Sequence, residues 1–188
     1  MTAARTICAA IVVVATVAVG SLGLAAQPAA GEYEVKAAFL YNFARYIEWP
    51  EEAVPDAEDT FVIGVLGEDP FGPILDRIAK SKTVDGRKIA VRRFATVEDY
   101  TPCHILFVSS SETDRLATVL ARLAESHVLV VGDTPGSARQ GVIINFVIEQ
   151  SKVRLEINPG AAERAGLKIS SKLLRLATIV GDTRREED

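Results

Sequence analysis

Few residues of this chain have the chemical repertoire for catalysis, and they are scattered. There are two histidines, His104 and His127, each at the entry to an apolar run that reads as a strand. A zinc site takes about four His, Cys or carboxylate ligands at defined spacing, and neither histidine has such partners on its own element. Cys103 and His104 are adjacent, so on one strand they point to opposite faces. Ser109-Ser110-Ser111 follows an apolar run, as a nucleophile can, but the Gly-x-Ser-x-Gly elbow is absent. These hydroxyls read as a helix cap, with Ser111 and Asp114 at capping-box spacing. Gly67 to Gly72 has the glycine spacing of a phosphate loop. No Lys-Ser or Lys-Thr follows, and Glu68 and Asp69 repel phosphate, so the segment reads as a turn. Asp133-Thr134-Pro135-Gly136 follows a buried run, at the kind of strand end where open parallel sheets gather ligands. It reads as an ordinary turn, with a ligand loop as the alternative. No nucleophile, base and oxyanion hole come together, nor any metal set. The reading is a non-enzyme with no cofactor.

The segment that stands out is aromatic. Tyr33, Tyr41, Phe43, Tyr46 and Trp49 crowd one short stretch, and all but Phe43 carry a polar handle. A core helix with tyrosines at its margin accounts for them. The alternative is a protein-contact surface, where aromatics concentrate. On that reading Tyr41, Phe43, Tyr46 and Trp49 lie at a partner or dimer contact.

The elements that must position these residues follow from periodicity. Glu32 to Glu48 reads as a helix, with Val35, Phe39, Phe43 and Ile47 at helical spacing. From Ala37 to Ala44 it carries no charge on any face, as in a helix buried on more than one side. Trp49-Pro50 ends it. Phe61 to Leu66 reads as a buried strand, and Ile74, Leu75 and Ile78 as one face of a short helix. Asp85-Gly86 is a tight turn before a half-exposed strand, Arg87 to Phe94. A short helix or turn follows at Val97 to Tyr100, then a buried strand from His104 to Val108. A helix continues to about Glu125 with Leu116, Val119, Leu120 and Leu123 inward. Val128 to Val131 is a further strand and Gly132 to Gln140 a loop. Val142 to Ile148 and Val153 to Ile157 form a hairpin. Asn158-Pro159 opens a short helix, Asn as cap and Pro at its first position. Ser170 or Ser171 caps a last segment carrying Leu173, Leu174 and Leu176, either a helix or a strand. This order predicts a single α/β domain: a mixed, mainly parallel sheet flanked by helices on both faces, with a C-terminal hairpin and short helices.

The 188 residues are 48% hydrophobic and 24% charged, with a formal net charge of −4. That composition is globular, and its acidic balance argues against nucleic acid. Arg5 is the only charged side chain before Glu32, and an apolar run spans Ile7 to Val19. Small residues and Gln27-Pro28 follow, the pattern of a cleaved export signal over residues 1–26. The run is short for a membrane span, which takes about 20 residues. The expectation is an exported protein with its domain over 31–180 and a disordered charged tail over 181–188. Cys8 leaves with the signal, so Cys103 stands alone and reads as a buried structural thiol.

Two stretches are specific enough to compare with a known family. Tyr33-Glu34-Val35-Lys36-Ala37-Ala38-Phe39-Leu40-Tyr41-Asn42-Phe43-Ala44-Arg45-Tyr46-Ile47-Glu48-Trp49-Pro50 is one. Ile157-Asn158-Pro159, with Ala165-Gly166-Leu167-Lys168-Ile169-Ser170-Ser171-Lys172-Leu173-Leu174, is the other. Together they resemble the YfiR family of periplasmic proteins, over Tyr33 to Val180. The resemblance implies a single α/β domain that pairs as a homodimer and acts as a negative regulator. The best-understood kind holds down an inner-membrane diguanylate cyclase through its periplasmic sensor region. An outer-membrane lipoprotein can sequester the repressor and release cyclic-di-GMP synthesis, which favours biofilm. That kind has paired cysteines, whereas here only Cys103 remains, so a disulfide switch does not carry over. A second reading is a module that senses a small anion or nucleotide. Arg45, Lys172 and Arg175, in or beside the two family-like stretches, are the basic groups for it.

Overall fold

Alternation along the strands sets the architecture. In the computed structural model, which describes residues 31–53 and 60–182, the central strand β2 (Thr60–Leu66) is buried on both faces. Phe61, Ile63 and Val65 enter one hydrophobic core; Val62 and Leu66 enter a second. That period of two puts β2 in the middle of a sheet covered on both sides. The expected export signal lies outside the described residues, as do residues 183–188 of the expected tail.

The chain opens with helix α1 (Glu32–Phe43), whose first turn carries Glu32 and Glu34 against the positive end of the helix dipole. Strand β1 is Ile47–Glu48. After β2 come α2 (Pro73–Ser81), β3 (Thr83–Val84), β4 (Arg87–Phe94) and β5 (Ile105–Val108). Then follow α3 (Leu116–Arg122), β6 (Leu129–Gly132), α4 (Ser137–Gln140), β7 (Ile144–Glu149) and β8 (Lys152–Ile157). The chain closes with α5 (Pro159–Arg164), β9 (Lys168–Ile169), α6 (Ser171–Leu174) and β10 (Thr178–Ile179).

The eight-stranded sheet has the order β10-β8-β7-β6-β5-β2-β4-β3. Strands β4, β2, β5, β6 and β7 run parallel, while β3 and β8 are antiparallel to their inner neighbours. Counted along the chain, the parallel strands lie in the order 2-1-3-4-5, the flavodoxin-like doubly wound arrangement. Helices α1, α2, α5 and α6 bury Leu40, Phe43, Leu75, Ala161 and Leu173 in the first core, and α3 buries Leu116 and Val119 in the second. The predicted single α/β domain, its mixed and mainly parallel sheet and its C-terminal hairpin are all present.

Three local differences have physical causes. The first helix stops at Phe43 because Ala44-Arg45-Tyr46 turns and Ile47–Glu48 is captured by β9 as an antiparallel pair. Tertiary pairing there overrides a helical pattern that ran on to Glu48. The helix cap before α3 falls on Ser109, whose Oγ accepts from Ser111 N, and a 3-10 stretch over Ser110–Arg115 precedes the α-helix. The reciprocal capping box forms instead at Thr96 and Asp99. The expected loop from Gly132 to Gln140 contains the one-turn helix α4, entered through Gly136 in the left-handed region.

Candidate functional site

The two family-like stretches meet. Ile47 pairs with Ile169 and Glu48 with Lys168, and Ser170 N donates to Tyr46 O at 2.8 Å. The end of the first helical segment is thus stitched to the closing segment, more than a hundred residues away in sequence.

Two anchors fix this unit on the sheet. At the start of α1, Lys36 Nζ lies 2.8 Å from Asp133 Oδ2 and 2.6 Å from Glu32 Oε1, with the side chains of Lys36 and Asp133 each only 4% exposed. The Tyr33 hydroxyl donates to the same Asp133 oxygen at 3.0 Å, and Lys36 Nζ stands 4.4 Å from the Tyr33 ring centre. Burial, then the Asp133 charge, pushes the Tyr33 phenol well above its ordinary value. The other Asp133 oxygen, Oδ1, is buried with no hydrogen-bond partner among the described residues. The second anchor lies beyond the helix. The Trp49 indole N–H donates to His104 O at 3.0 Å, and its ring meets Phe61 edge-on at 5.5 Å. His104 stacks on Phe61 at 4.5 Å, its Nδ1 accepts from Val62 N, and the Arg87 guanidinium lies 3.4 Å from Nε2. Burial, then the Arg87 charge, lowers the His104 imidazole to about 4, which keeps it neutral.

These contacts settle the chemistry of several candidates. His104 is a core histidine, and His127 Nδ1 bonds Ala165 O at 2.8 Å. Ser111 Oγ accepts from Glu68 N across the ends of β2 and β5. In the Gly67–Gly72 turn, Asp69 accepts from Phe71 N, and Asp69 and Asp76 both bind Arg93. Asp133 belongs to a buried ion pair. Among the described residues no group of three or more His, Cys, Asp and Glu could hold a metal ion. Cys103 is 1% exposed, and burial pushes its thiol up to about 12.

The residues expected at a contact surface separate. Phe43 corrects the expectation: it is 1% exposed and stacks on Phe146 inside the first core. It lies on the same helix stripe as Lys36 and Leu40, which faces the sheet. Trp49 is half-buried, its polar handle engaged with His104. Tyr41 and Tyr46 are half-buried at the edge of the core, the Tyr41 hydroxyl 3.4 Å from Thr83 O. Arg45, Lys172 and Arg175 are exposed. None of the three makes an ion pair among the described residues.

The large hydrophobics exposed among the described residues are Val35, Ile148, Leu176 and Ile179; the first two share a flank of α1 and the β7–β8 hairpin that the aromatic count does not single out. Val35 is 46% exposed and Ile148, near the tip of the β7–β8 hairpin, 50%. Val35 and Phe39 are one turn apart on α1, Phe39 packs 5.9 Å from Phe146, and Ile148 is two residues further along the same face of β7. Val153 pairs opposite Ile148. One further signal was available in the sequence: Lys36 occupies a core stripe with Leu40 and Phe43, and a lysine there requires a buried acidic partner.

Solved structures share the fold. A conserved domain protein from Vibrio cholerae is 14% identical with a TM-score of 0.52, over 78% of this chain and 59% of that one. An ABC domain from Streptococcus pneumonia, solved in complex with L-Trp, is 12% identical with a TM-score of 0.52, over 79% of this chain and 60% of that one. The chain thus spans about three fifths of each, and at these identities the likeness concerns the fold alone. No curated protein matches by sequence. A family model matches residues 33–178, from the first turn of α1 to the first residue of β10, and the chain belongs to the YfiR/HmsC-like (DUF4154) family.

Proposed function

We propose that the protein is a periplasmic negative regulator that binds the sensor region of an inner-membrane diguanylate cyclase and lowers its cyclic-di-GMP output. Family membership supports the signalling role. The observation that carries a protein-binding mode is the apolar flank formed by Val35 and Phe39 on α1 with Ile148 and Val153 on the hairpin. Large side chains left open on a helix anchored at both ends make a preorganised contact surface. Tyr41 and Tyr46 border the same helical segment. A twin subunit and a sequestering outer-membrane lipoprotein belong to the same proposal.

The test is capture of the tagged protein from its own cells, with cyclic-di-GMP measured after deletion. The expected result is recovery of a diguanylate cyclase with a periplasmic sensor region and a rise in cyclic-di-GMP on deletion. A folded variant carrying Val35→Glu and Ile148→Glu then loses both capture and repression. Recovery of a receptor or kinase, with cyclic-di-GMP unchanged on deletion, overturns the proposal.

A second reading, a small-anion or nucleotide sensor, draws support from one observation. The β1–β9 pairing brings the segment of Arg45 beside the segment that leads into Lys172 and Arg175. A thermal-shift screen with nucleotides and phosphorylated metabolites tests it, and silence across the screen removes it.

A further inference from the structure

The closing segment leaves apolar side chains open to solvent. After α6 the backbone winds on, with Arg175 N donating to Ser171 O, Leu176 N to Leu173 O and Ala177 N to Leu174 O. On that turn Lys172, Arg175 and Leu176 stand at i, i+3 and i+4 and so share one face. All three are exposed, while Leu173 and Leu174 pack into the first core. Leu176 is 69% exposed, the highest value of any large hydrophobic side chain among the described residues. Ile179, 52% exposed, follows on β10, the outermost strand of the sheet.

The same segment carries charge of one sign. Between Glu163 and Asp182 the sequence holds Arg164, Lys168, Lys172 and Arg175 and no acid. Asp182 is engaged, its Oδ2 2.7 Å from Arg164 Nη2, and Glu48 stands opposite Lys168. Glu156, in register with Thr178, points to the other face of the sheet from Ile179. Past Asp182 the sequence adds Arg184 and Arg185 against Glu186, Glu187 and Asp188, close to balance. Lys172 and Arg175 make no ion pair among the described residues. Arg45, which makes none either, is brought to the start of α6 where Ser170 N donates to Tyr46 O. Cations free of ion pairs thus accompany exposed aliphatic side chains in a chain whose overall charge is −4.

We infer that this face docks on an anionic bilayer surface. Leu176 and Ile179 enter the boundary between headgroups and acyl chains, and Lys172, Arg175 and Arg45 meet lipid phosphates. Cations beside exposed aliphatic side chains are the pattern of interfacial binding, and each Lys or Arg near an anionic leaflet strengthens it. The apolar pair decides between lipid and a soluble phosphate. A free anion leaves Leu176 and Ile179 in water, whereas a bilayer removes them from it. Ile148 pairs with Val153 at the start of β8 and Ile179 with Ile157 at its end, so this face and the Val35–Ile148 flank lie at opposite ends of that strand. Lipid binding here does not rest on the regulator reading.

The test is co-sedimentation of the protein, purified from the periplasm, with vesicles of equal parts phosphatidylcholine and phosphatidylglycerol, against vesicles of phosphatidylcholine alone. Binding is expected on the anionic vesicles and weakens as sodium chloride is raised. Lys172→Gln with Arg175→Gln lowers the partition coefficient about 30-fold, the scale of two charges near an anionic leaflet. Leu176→Ser with Ile179→Ser lowers it about tenfold. Thermal melts close to that of the parent protein separate these losses from unfolding. Independently of them, the emission of Leu176→Trp moves to the blue on the anionic vesicles. No sedimentation with anionic vesicles, equal binding to phosphatidylcholine, or release by soluble glycerol phosphate overturns the proposal. So does binding that survives both paired variants, or that is lost only in Val35→Glu with Ile148→Glu.

Discussion

Lys36 and Asp133 lie 97 positions apart in the chain, yet their charged groups are 2.8 Å apart and both side chains are almost fully buried. The pair fastens the start of α1 to the end of β6. Removing one member leaves the other charge buried without its partner. Lys36→Met is therefore expected to cost about 3–5 kcal/mol. The double variant Lys36→Met, Asp133→Leu should lose less than the sum of the two single changes. Urea denaturation of all four proteins gives the coupling energy; additive losses would show that the two charges act independently.

Trp49 faces inward, so its substitution acts on stability first. Trp49→Ala should destabilise by about 3–5 kcal/mol, the range for emptying a large aromatic site. Trp49→Phe keeps the ring against Phe61 and loses the hydrogen bond to His104 O, a change of about 1 kcal/mol. A thermal or urea melt separates the two. Equal losses for both variants would mean that the indole N–H, not the packing, holds this corner.

His104 gives the fold a pH dependence of definite sign. Its imidazole is held at about 4 in the folded protein against an ordinary value of 6.5. Between those values the unfolded chain takes up a proton that the folded chain refuses. Stability is thus full above pH 6.5 and falls as the pH drops toward 4, by about 1 kcal/mol per unit at its steepest. Below that it levels off. His104→Gln should flatten this window in denaturation curves taken at several pH values; an unchanged slope would assign the dependence to another group.

Cys103 should be inert in the native protein. It is buried against Gly64 and Tyr100, with its thiol pushed up to about 12. Thiolate is the reactive form, so a disulfide-exchange reagent at pH 8 should label the thiol only after denaturant is added. Rapid labelling of the folded protein would place the sulfur within solvent reach.

Much of the fold was legible in local sequence. Strands such as Phe61 to Leu66 announce themselves as apolar runs between turn residues, and Asn158 followed by Pro159 marks a helix start that the structure reproduces, with Ala161 N donating to Asn158 Oδ1 at 2.9 Å. The pieces that escaped depend on distant chain. Ile47–Glu48 has helical spacing to its neighbours, but the edge of Lys168–Ile169 captures it. Phe43 carried the aromatic signature of a contact surface, whereas its helical phase with Leu40 puts it in the core. The apolar flank that the structure exposes, Val35 with Ile148, joins residues more than a hundred positions apart and has no local pattern. The Lys36–Asp133 pair is similar: Asp133 reads as part of a turn until the lysine that needs it is found.

The stitching of α1 also sets an order of events. Its residues leave the ribosome early, but everything that seats the helix is made later: His104, then Asp133, then Lys168 and Ile169. A nascent chain halted before Asp133 lacks β7, so Phe43 has no Phe146 to stack on and Lys36 has no opposite charge from the sheet. The first helix of the described residues is thus among the last to find its place, and until then its apolar stripe is open to whatever chaperone attends the chain.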